Sequence, residues 1–305
     1  MRTMKLGVSD LEVPVIAAGC MRMKSLAIKE AATFVQTALD EGANFFDHAD
    51  VYGNGECEEI FADAIHMTSR VREKIIIQSK CGINKGMYDF SKEHILNSVD
   101  GILRRLKTEY LDVLLLHRPD TLMEPEEVAE AFDTLKSNGK VRHFGVSNQN
   151  PMQMQLLQNS LTQPLVANQL QFSICHTPMI DCGNNVNMFV DGAINRDGSV
   201  LDYCRLNKIT IQPWSPFQYG FFEGVFLGSD KFPELNKKID EIADRYNVSN
   251  TTMAIAWILR HPANMQPVIG TMNVNRLKDC IKATNLRITR REWYEIYLAA
   301  GNTLP

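Results

Sequence analysis

Val113-Leu114-Leu115-Leu116-His117 is an unbroken apolar run that ends on an ionisable residue, and the segment after it decides the fold. Pro125 opens a segment in which Val128, Ala131, Phe132 and Leu135 recur at helical spacing, Gly139 closes it, and a second short run extends from His143 to Ser147. A continuously apolar run of this length suits a strand buried on both faces, and a helix between two such runs makes a βαβ unit with parallel strands. The rhythm continues in both directions. Strands are expected from Val13 to Ala18, Asn44 to Asp47, Ile75 to Lys80, Val113 to His117, His143 to Ser147, Ala167 to Gln171, Thr210 to Pro213 and Pro267 to Gly270. Helical spacing appears between them in Ile28, Ala31, Ala32, Val35, Ala38 and Leu39, stopped by Gly42. It recurs in Cys57, Ile60, Phe61, Ala64 and Ile65, and again in Ile95, Val99, Ile102, Leu103 and Leu106. Eight alternations fit a (β/α)8 barrel of the TIM type better than an open doubly wound sheet. The first ten or so residues read as an added cap, and Phe172 to Val200 as a long insertion looping over the barrel mouth.

Composition supports an ordinary folded chain. Of 305 residues, 45% are hydrophobic and 22% charged, with 32 Lys and Arg against 36 Asp and Glu for a formal charge of -4. That balance speaks against a nucleic-acid partner. No apolar run approaches the roughly 20 residues of a membrane span, and the N-terminus lacks an apolar signal core, so a cytoplasmic location is expected. The seven cysteines at 20, 57, 81, 175, 182, 204 and 280 include no C-x-x-C pair and read as free thiols.

Chemistry in such a barrel sits at the carboxyl ends of the strands. There the sequence places Asp47 with Tyr52 beyond it, Lys80, His117, Ser147 with Asn148, Gln169, and Trp214 with Ser215. A phenol has a pKa near ~10, which a neighbouring ammonium lowers; Lys80 can supply that charge, Asp47 can counter it, and a neutral His117 can orient a substrate oxygen. Such a device protonates a carbonyl oxygen but holds no electrons of its own, so it calls for a hydride donor such as a nicotinamide cofactor.

Phe45-Phe46-Asp47-His48-Ala49-Asp50-Val51-Tyr52-Gly53, Ser79-Lys80, Leu114-Leu115-Leu116-His117-Arg118-Pro119-Asp120, Gly145-Val146-Ser147-Asn148 and Val268-Ile269-Gly270-Thr271 together resemble the signature stretches of the aldo-keto reductases, over nearly the whole chain. The resemblance implies one barrel domain over 1–305 that binds NADP(H) and reduces small aldehydes or ketones; the sequence leaves the oligomeric state open, with a monomer slightly favoured. By that similarity Tyr52 is the general acid, Asp47 and Lys80 tune it, and His117 positions the carbonyl. Ser147, Asn148 and Gln169 would hold the nicotinamide carboxamide, Trp214 would stack on its ring, and Ser215, Pro216 and Phe217 would begin the loop around the pyrophosphate. Gly19, Cys20, Met21 and Asp47 would complete the nicotinamide end. Gly270, Thr271 and Arg276 would lie at the adenosine 2′-phosphate, and Asp279 and Cys280 at the adenine. Gly270 stands where many members carry a lysine, which removes one phosphate-binding charge, while Arg276 keeps the balance toward NADPH. Met21, Met23, Tyr88, Phe172 and residues 173–200 are expected to set substrate selectivity.

Rival readings are a barrel that binds NADPH only as a sensor, and a metal-dependent hydrolase built on Asp47, His48, His117 and His143. The second is disfavoured because no His-x-His occurs on a strand and His143 opens its strand at the opposite end of the barrel. Gly53-Asn54-Gly55 lacks the third glycine of a dinucleotide fingerprint, and its following glutamates would repel a pyrophosphate. No metal is expected.

Overall fold

A computed structural model describes residues 1–304. Eight strands form one all-parallel sheet: β1 (Ala17–Gly19), β2 (Phe45–Asp47), β3 (Ile76–Cys81), β4 (Leu111–Leu116), β5 (Val141–Ser147), β6 (Leu165–Gln171), β7 (Thr210–Trp214) and β8 (Val268–Ile269). Their spatial order is β7-β6-β5-β4-β3-β2-β1-β8. A bridge between Ile211 and Met265, with Gln266 N–H donating to the Ile211 carbonyl at 2.9 Å, draws β7 toward the segment entering β8 and nearly closes the ring. This is the (β/α)8 barrel that the alternation predicts. The four helices read from spacing appear as Ile28–Asp40, Glu56–Ala64, Lys92–Leu106 and Pro125–Ser137, each burying its apolar stripe against the sheet.

Two boundaries differ from the expectation. The run from Val13 to Ala18 is not one strand: Glu12–Pro14 pairs antiparallel with Thr3–Lys5, and the barrel strand begins only at Ala17. Pro14 has no N–H to give a ladder, the Val15 N–H still returns to the Arg2 carbonyl of the hairpin at 3.1 Å, and the chain changes partners only at Ala17, whose N–H donates to the Pro267 carbonyl at 3.0 Å. The cap is therefore a hairpin that extends to Pro14. Its Leu6 and Val13 plug the floor of the barrel against Ala17, Phe45, Ile76, Val113, Leu115, Val166 and Val268. The segment after β6 is also more regular than a loop, carrying a helix at Pro178–Asn184 with proline at its first position.

A glycine lets two strands pack closely against a third. A Cβ at Gly145 in β5 would stand 2.7 Å from the Ala167 carbonyl oxygen of β6 and 2.7 Å from Leu115 Cδ2 of β4, and a strand interior has little room to give. Gly145→Ala is expected to destabilise the fold by about 1–3 kcal/mol, read from denaturant melts; an unchanged midpoint would contradict this account of the barrel's packing.

Candidate active site

The upper barrel holds ionisable groups where apolar packing would be cheaper. Lys80, the fifth residue of β3, is fully buried, and its ammonium donates to Asp47 Oδ2 at 2.7 Å, to the His48 carbonyl at 2.7 Å and to the Tyr52 hydroxyl at 3.0 Å. All three of its protons are used, which is how a buried ammonium remains charged. Burial opposes that charge, but the carboxylate and phenol outweigh it and hold the Lys80 pKa above its ordinary value. For Tyr52 the balance falls the other way: burial pushes the phenol up more strongly than Lys80 pulls it down. Lys80 acts in the expected direction, but the expected net lowering of the Tyr52 pKa is corrected to a net rise, because desolvation wins. The phenol stays protonated at neutral pH with its oxygen already accepting from an ammonium.

His117 follows β4, edge-on to the Tyr52 ring with centroids 5.9 Å apart. Burial, then the Lys80 and Arg118 charges, hold its imidazole well below the ordinary histidine pKa, so it is neutral. Among the described residues its Nδ1 is buried without a partner. Asp47, Tyr52, His117, Gln169 and Trp214 all line one cleft of about 480 Å³, with Lys80 beneath them.

Below the cleft lies a feature that the strand-end pattern does not reveal. Gln78 in β3 and Gln169 in β6 each donate from Nε2 to Asp47 Oδ1, at 2.6 and 3.1 Å, and to Gln212 Oε1 in β7, at 2.9 and 3.3 Å. Gln212 Nε2 donates in turn to Gln78 Oε1 and Gln266 Oε1, and Gln266 Nε2 donates to the Pro14 carbonyl at 2.6 Å. A carboxylate at one end and a backbone carbonyl at the other can only accept, so every amide in the ladder has one permitted orientation. With both N–H bonds of Gln169 engaged, only its Oε1 remains to meet a ligand in the cleft. The available signal was a glutamine inside each of two apolar runs, at Ile77-Gln78 and Ile211-Gln212.

The residues expected around a cofactor fall into two groups. Gly19, Met21, Ser147, Asn148, Gln169, Trp214, Ser215, Pro216, Phe217, Gly270, Thr271 and Arg276 line the cleft with Asp47. Cys20 and Cys280 are fully buried in the hydrophobic core, which takes their thiols out of reach of a ligand there, and Asp279 is ion-paired to Lys282 at 2.9 Å. Ser147 and Asn148 are already knitted together: Ser147 Oγ donates to the Gln169 carbonyl, Asn148 Nδ2 donates to Ser147 Oγ at 2.8 Å, and Trp214 Nε1 donates to Asn148 Oδ1 at 3.1 Å. At the far end Asn273 caps helix Val274–Lys282 by accepting from the Asn275 and Arg276 N–H groups, leaving the Arg276 guanidinium as the stronger attraction for an anion. Arg22, not singled out in the sequence, also lines the cleft and donates to the Gly270 carbonyl at 3.0 Å. A cation thus stands beside the glycine that lacks one. This donor set suits a nicotinamide dinucleotide: amide and aromatic groups near Tyr52, guanidinium groups at Gly270.

Of the expected selectivity residues only Met21 lines this cleft. Met23 is buried in the core, Phe172 is buried and stacked on Trp257 at 5.5 Å, and Tyr88 is exposed on a separate hairpin. From residues 173–200, His176, Pro178, Met179, Arg196, Asp197 and Val200 line a neighbouring cavity of about 430 Å³. His48 is fully buried, edge-on to Phe61 at 4.6 Å, with its pKa pushed down to about 3 by burial and Lys80. His143 faces Asp10 at 3.4 Å, far from the cleft in its strand. Among the described residues no three His, Cys, Asp or Glu side chains gather as a metal site, and no helix is long and apolar enough to cross a membrane.

A family model described as the aldo/keto reductase family matches residues 15–298. The chain is 34% identical over 291 residues to oxidoreductase YdhF of Escherichia coli (strain K12), covering 92% of this chain and 91% of that one. It is 32% identical over 277 residues to a 6-dehydroglucose reductase of Agrobacterium fabrum, covering 87% and 86%. In fold it is similar to the solved thermostable aldo-keto reductase Tm1743, with a TM-score of 0.79 over 98% of this chain and all of that one at 24% identity.

Removing Lys80 leaves Asp47 buried and unpaired, so Lys80→Met is expected to cost about 3–5 kcal/mol at neutral pH. Because the folded-state pKa of Lys80 is raised, its contribution is fully present below the unfolded-state pKa and fades as pH rises through the folded value. The stability gap between wild type and variant should therefore close only in strongly alkaline solution. Equal denaturation midpoints at pH 7 would contradict the pairing.

Proposed function

The chain belongs to the aldo/keto reductase family, and from that premise we propose that it reduces an aldehyde or ketone to the alcohol at the expense of NADPH, with Tyr52 as the proton donor. The observation that carries this reading is the Lys80 ammonium held between Asp47 and the Tyr52 hydroxyl, at 2.7 and 3.0 Å, on the floor of the cleft. A nicotinamide held by the Ser147, Asn148, Gln169 and Trp214 end of the cleft would supply hydride chemistry for the carbonyl carbon. Tyr52 gives its proton to the carbonyl oxygen as negative charge develops there, and the charge left on the phenol faces an ammonium already in place. Stabilisation of this kind needs no rearrangement at the moment of reaction. The raised ground-state pKa of Tyr52 suits the role, because an acid must keep its proton until the carbonyl calls for it. Neutral His117 orients the substrate oxygen, and the glutamine ladder fixes Asp47 and leaves the Gln169 acceptor for the N–H of a carboxamide.

Arg22 and Arg276 support NADPH over NADH, since two guanidinium groups flank the place where the 2′-phosphate would lie. A 6-dehydroglucose reductase among the relatives agrees with a carbonyl substrate but does not name the one used here.

Tyr52→Phe should lower kcat by at least about 10²-fold while NADPH still quenches tryptophan fluorescence with nearly wild-type affinity; retained turnover would defeat the proposal. With Tyr52 protonated and His117 neutral across the physiological range, kcat/KM for reduction should show no inflection between about pH 6 and 8 and should fall only in alkaline solution. A limb near pH 6.5 that disappears in a His117 variant would contradict the assignment. Arg22→Ala and Arg276→Ala should each weaken NADPH by about tenfold and NADH far less; an equal loss for both nucleotides would remove these residues from the 2′-phosphate.

A further inference from the structure

The cleft is lined by three guanidinium groups, Arg22, Arg118 and Arg276, and one of them is not accounted for by a dinucleotide. Arg22 and Arg276 belong to the β8 side, where Arg22 contacts Gly270. Arg118 follows β4, and in this strand order β4 and β8 face each other across the barrel mouth. A nucleotide with its nicotinamide end at Tyr52 and its phosphate end at Arg276 would carry its phosphate charge toward the β8 side, across the mouth from β4. Arg118 instead adjoins His117, the residue that orients the carbonyl.

Its charge is uncompensated. Among the described residues Arg118 makes no ion pair and no side-chain hydrogen bond; its guanidinium carbon stands 5.9 Å from the Trp214 ring and 5.9 Å from the Phe221 ring. The acids near it are committed elsewhere. Asp47 is paired with Lys80. Asp120 accepts the Phe90 and Leu122 N–H groups, both at 2.9 Å, and Asp197 accepts the Ser199 and Val200 N–H groups. Arg118 also lines the neighbouring cavity, together with Arg196 and the Asp197 whose carboxylate is held by backbone N–H groups, so there is space beside it for the distal part of a substrate. A guanidinium presents its N–H donors in a planar fork that matches a carboxylate.

Resting on the carbonyl-reductase reading of the same cleft, we propose that Arg118 is a specificity-determining residue that binds a carboxylate on the substrate, so that the preferred substrates are oxo acids whose carboxylate lies several atoms from the reacting carbonyl. Compounds lacking the anion leave this donor fork unpaired and lose that part of the binding.

The test compares acids with their own methyl esters, which keep length and carbonyl reactivity nearly constant: 4-carboxybenzaldehyde against methyl 4-formylbenzoate, and 4-oxobutanoate against methyl 4-oxobutanoate, with NADPH and wild-type, Arg118→Gln and Arg118→Lys enzyme. Wild type should favour each acid by about tenfold or more in kcat/KM. That ratio should shrink as salt rises from about 20 to 300 mM, fall to near one in Arg118→Gln, and recover partly in Arg118→Lys. A ratio is insensitive to the fraction of enzyme that is folded. Esters reduced as well as their acids by wild type, or an acid preference that survives in Arg118→Gln, would overturn the subsite while leaving carbonyl reduction intact. Reduction of neutral aldehydes such as 4-nitrobenzaldehyde with no turnover of either acid would overturn it too. Failure to consume NADPH with any aldehyde, ketone, acid or ester would instead refute the carbonyl-reductase reading.

Discussion

An ammonium with no exposed surface cannot persist inside a protein unless its charge and all its protons are met, and the upper barrel is arranged around meeting them for Lys80. Asp47 comes from the end of β2, the His48 carbonyl from the next residue, and the Tyr52 hydroxyl from the turn beyond. One strand end and its loop therefore surround a lysine delivered by β3. The cost of stranding that charge ties the turn to the strand and fixes where the phenol can lie. On the proposed mechanism, Tyr52 gains a neighbour that is weak in the ground state, because burial still dominates its pKa, and strong once the proton has moved. Stability and the proposed chemistry would then draw on the same interaction.

Beneath it, the glutamine ladder carries the constraint down the barrel axis. Gln78, Gln212 and Gln266 are fully buried, and each amide satisfies its neighbour's amide until the line ends on the Pro14 carbonyl of the cap hairpin. Partly satisfied, such a network would be a liability; complete, it specifies one arrangement. The hairpin thus seals the apolar floor and also anchors the last member of the polar column that orients Asp47.

Much of this was legible in the chain because burial on both faces writes a strand as an apolar run and makes a polar residue at its end conspicuous. Asp47, Lys80 and His117 stand out in this way. Tyr52, five residues beyond a strand end, was visible as a phenol near Lys80, while its role as the general acid came from the resemblance of residues 45–53 to a family signature. What remained hidden depends on which way a side chain turns. Cys20 adjoins Gly19 and Met21 yet points into the core, and Phe172 stacks on Trp257 rather than facing the cleft. Arg22 meets Gly270 across 248 residues of sequence, a proximity that no local pattern encodes. Val13 to Ala18 read as one strand because its apolar character is continuous, and only the pairing of Pro14 with Thr3 reveals the break.

The central claim is that Tyr52 rests as a neutral phenol beside a charged Lys80. The direct measurement is NMR of enzyme labelled with tyrosine carrying ¹³C at Cζ, with the Tyr52 resonance assigned by its loss in Tyr52→Phe and followed from neutral to alkaline pH. The account predicts a phenol chemical shift at neutral pH and ionisation above the ordinary range of about 10 for a tyrosine. A phenolate shift at pH 7, or titration below that range, would contradict it.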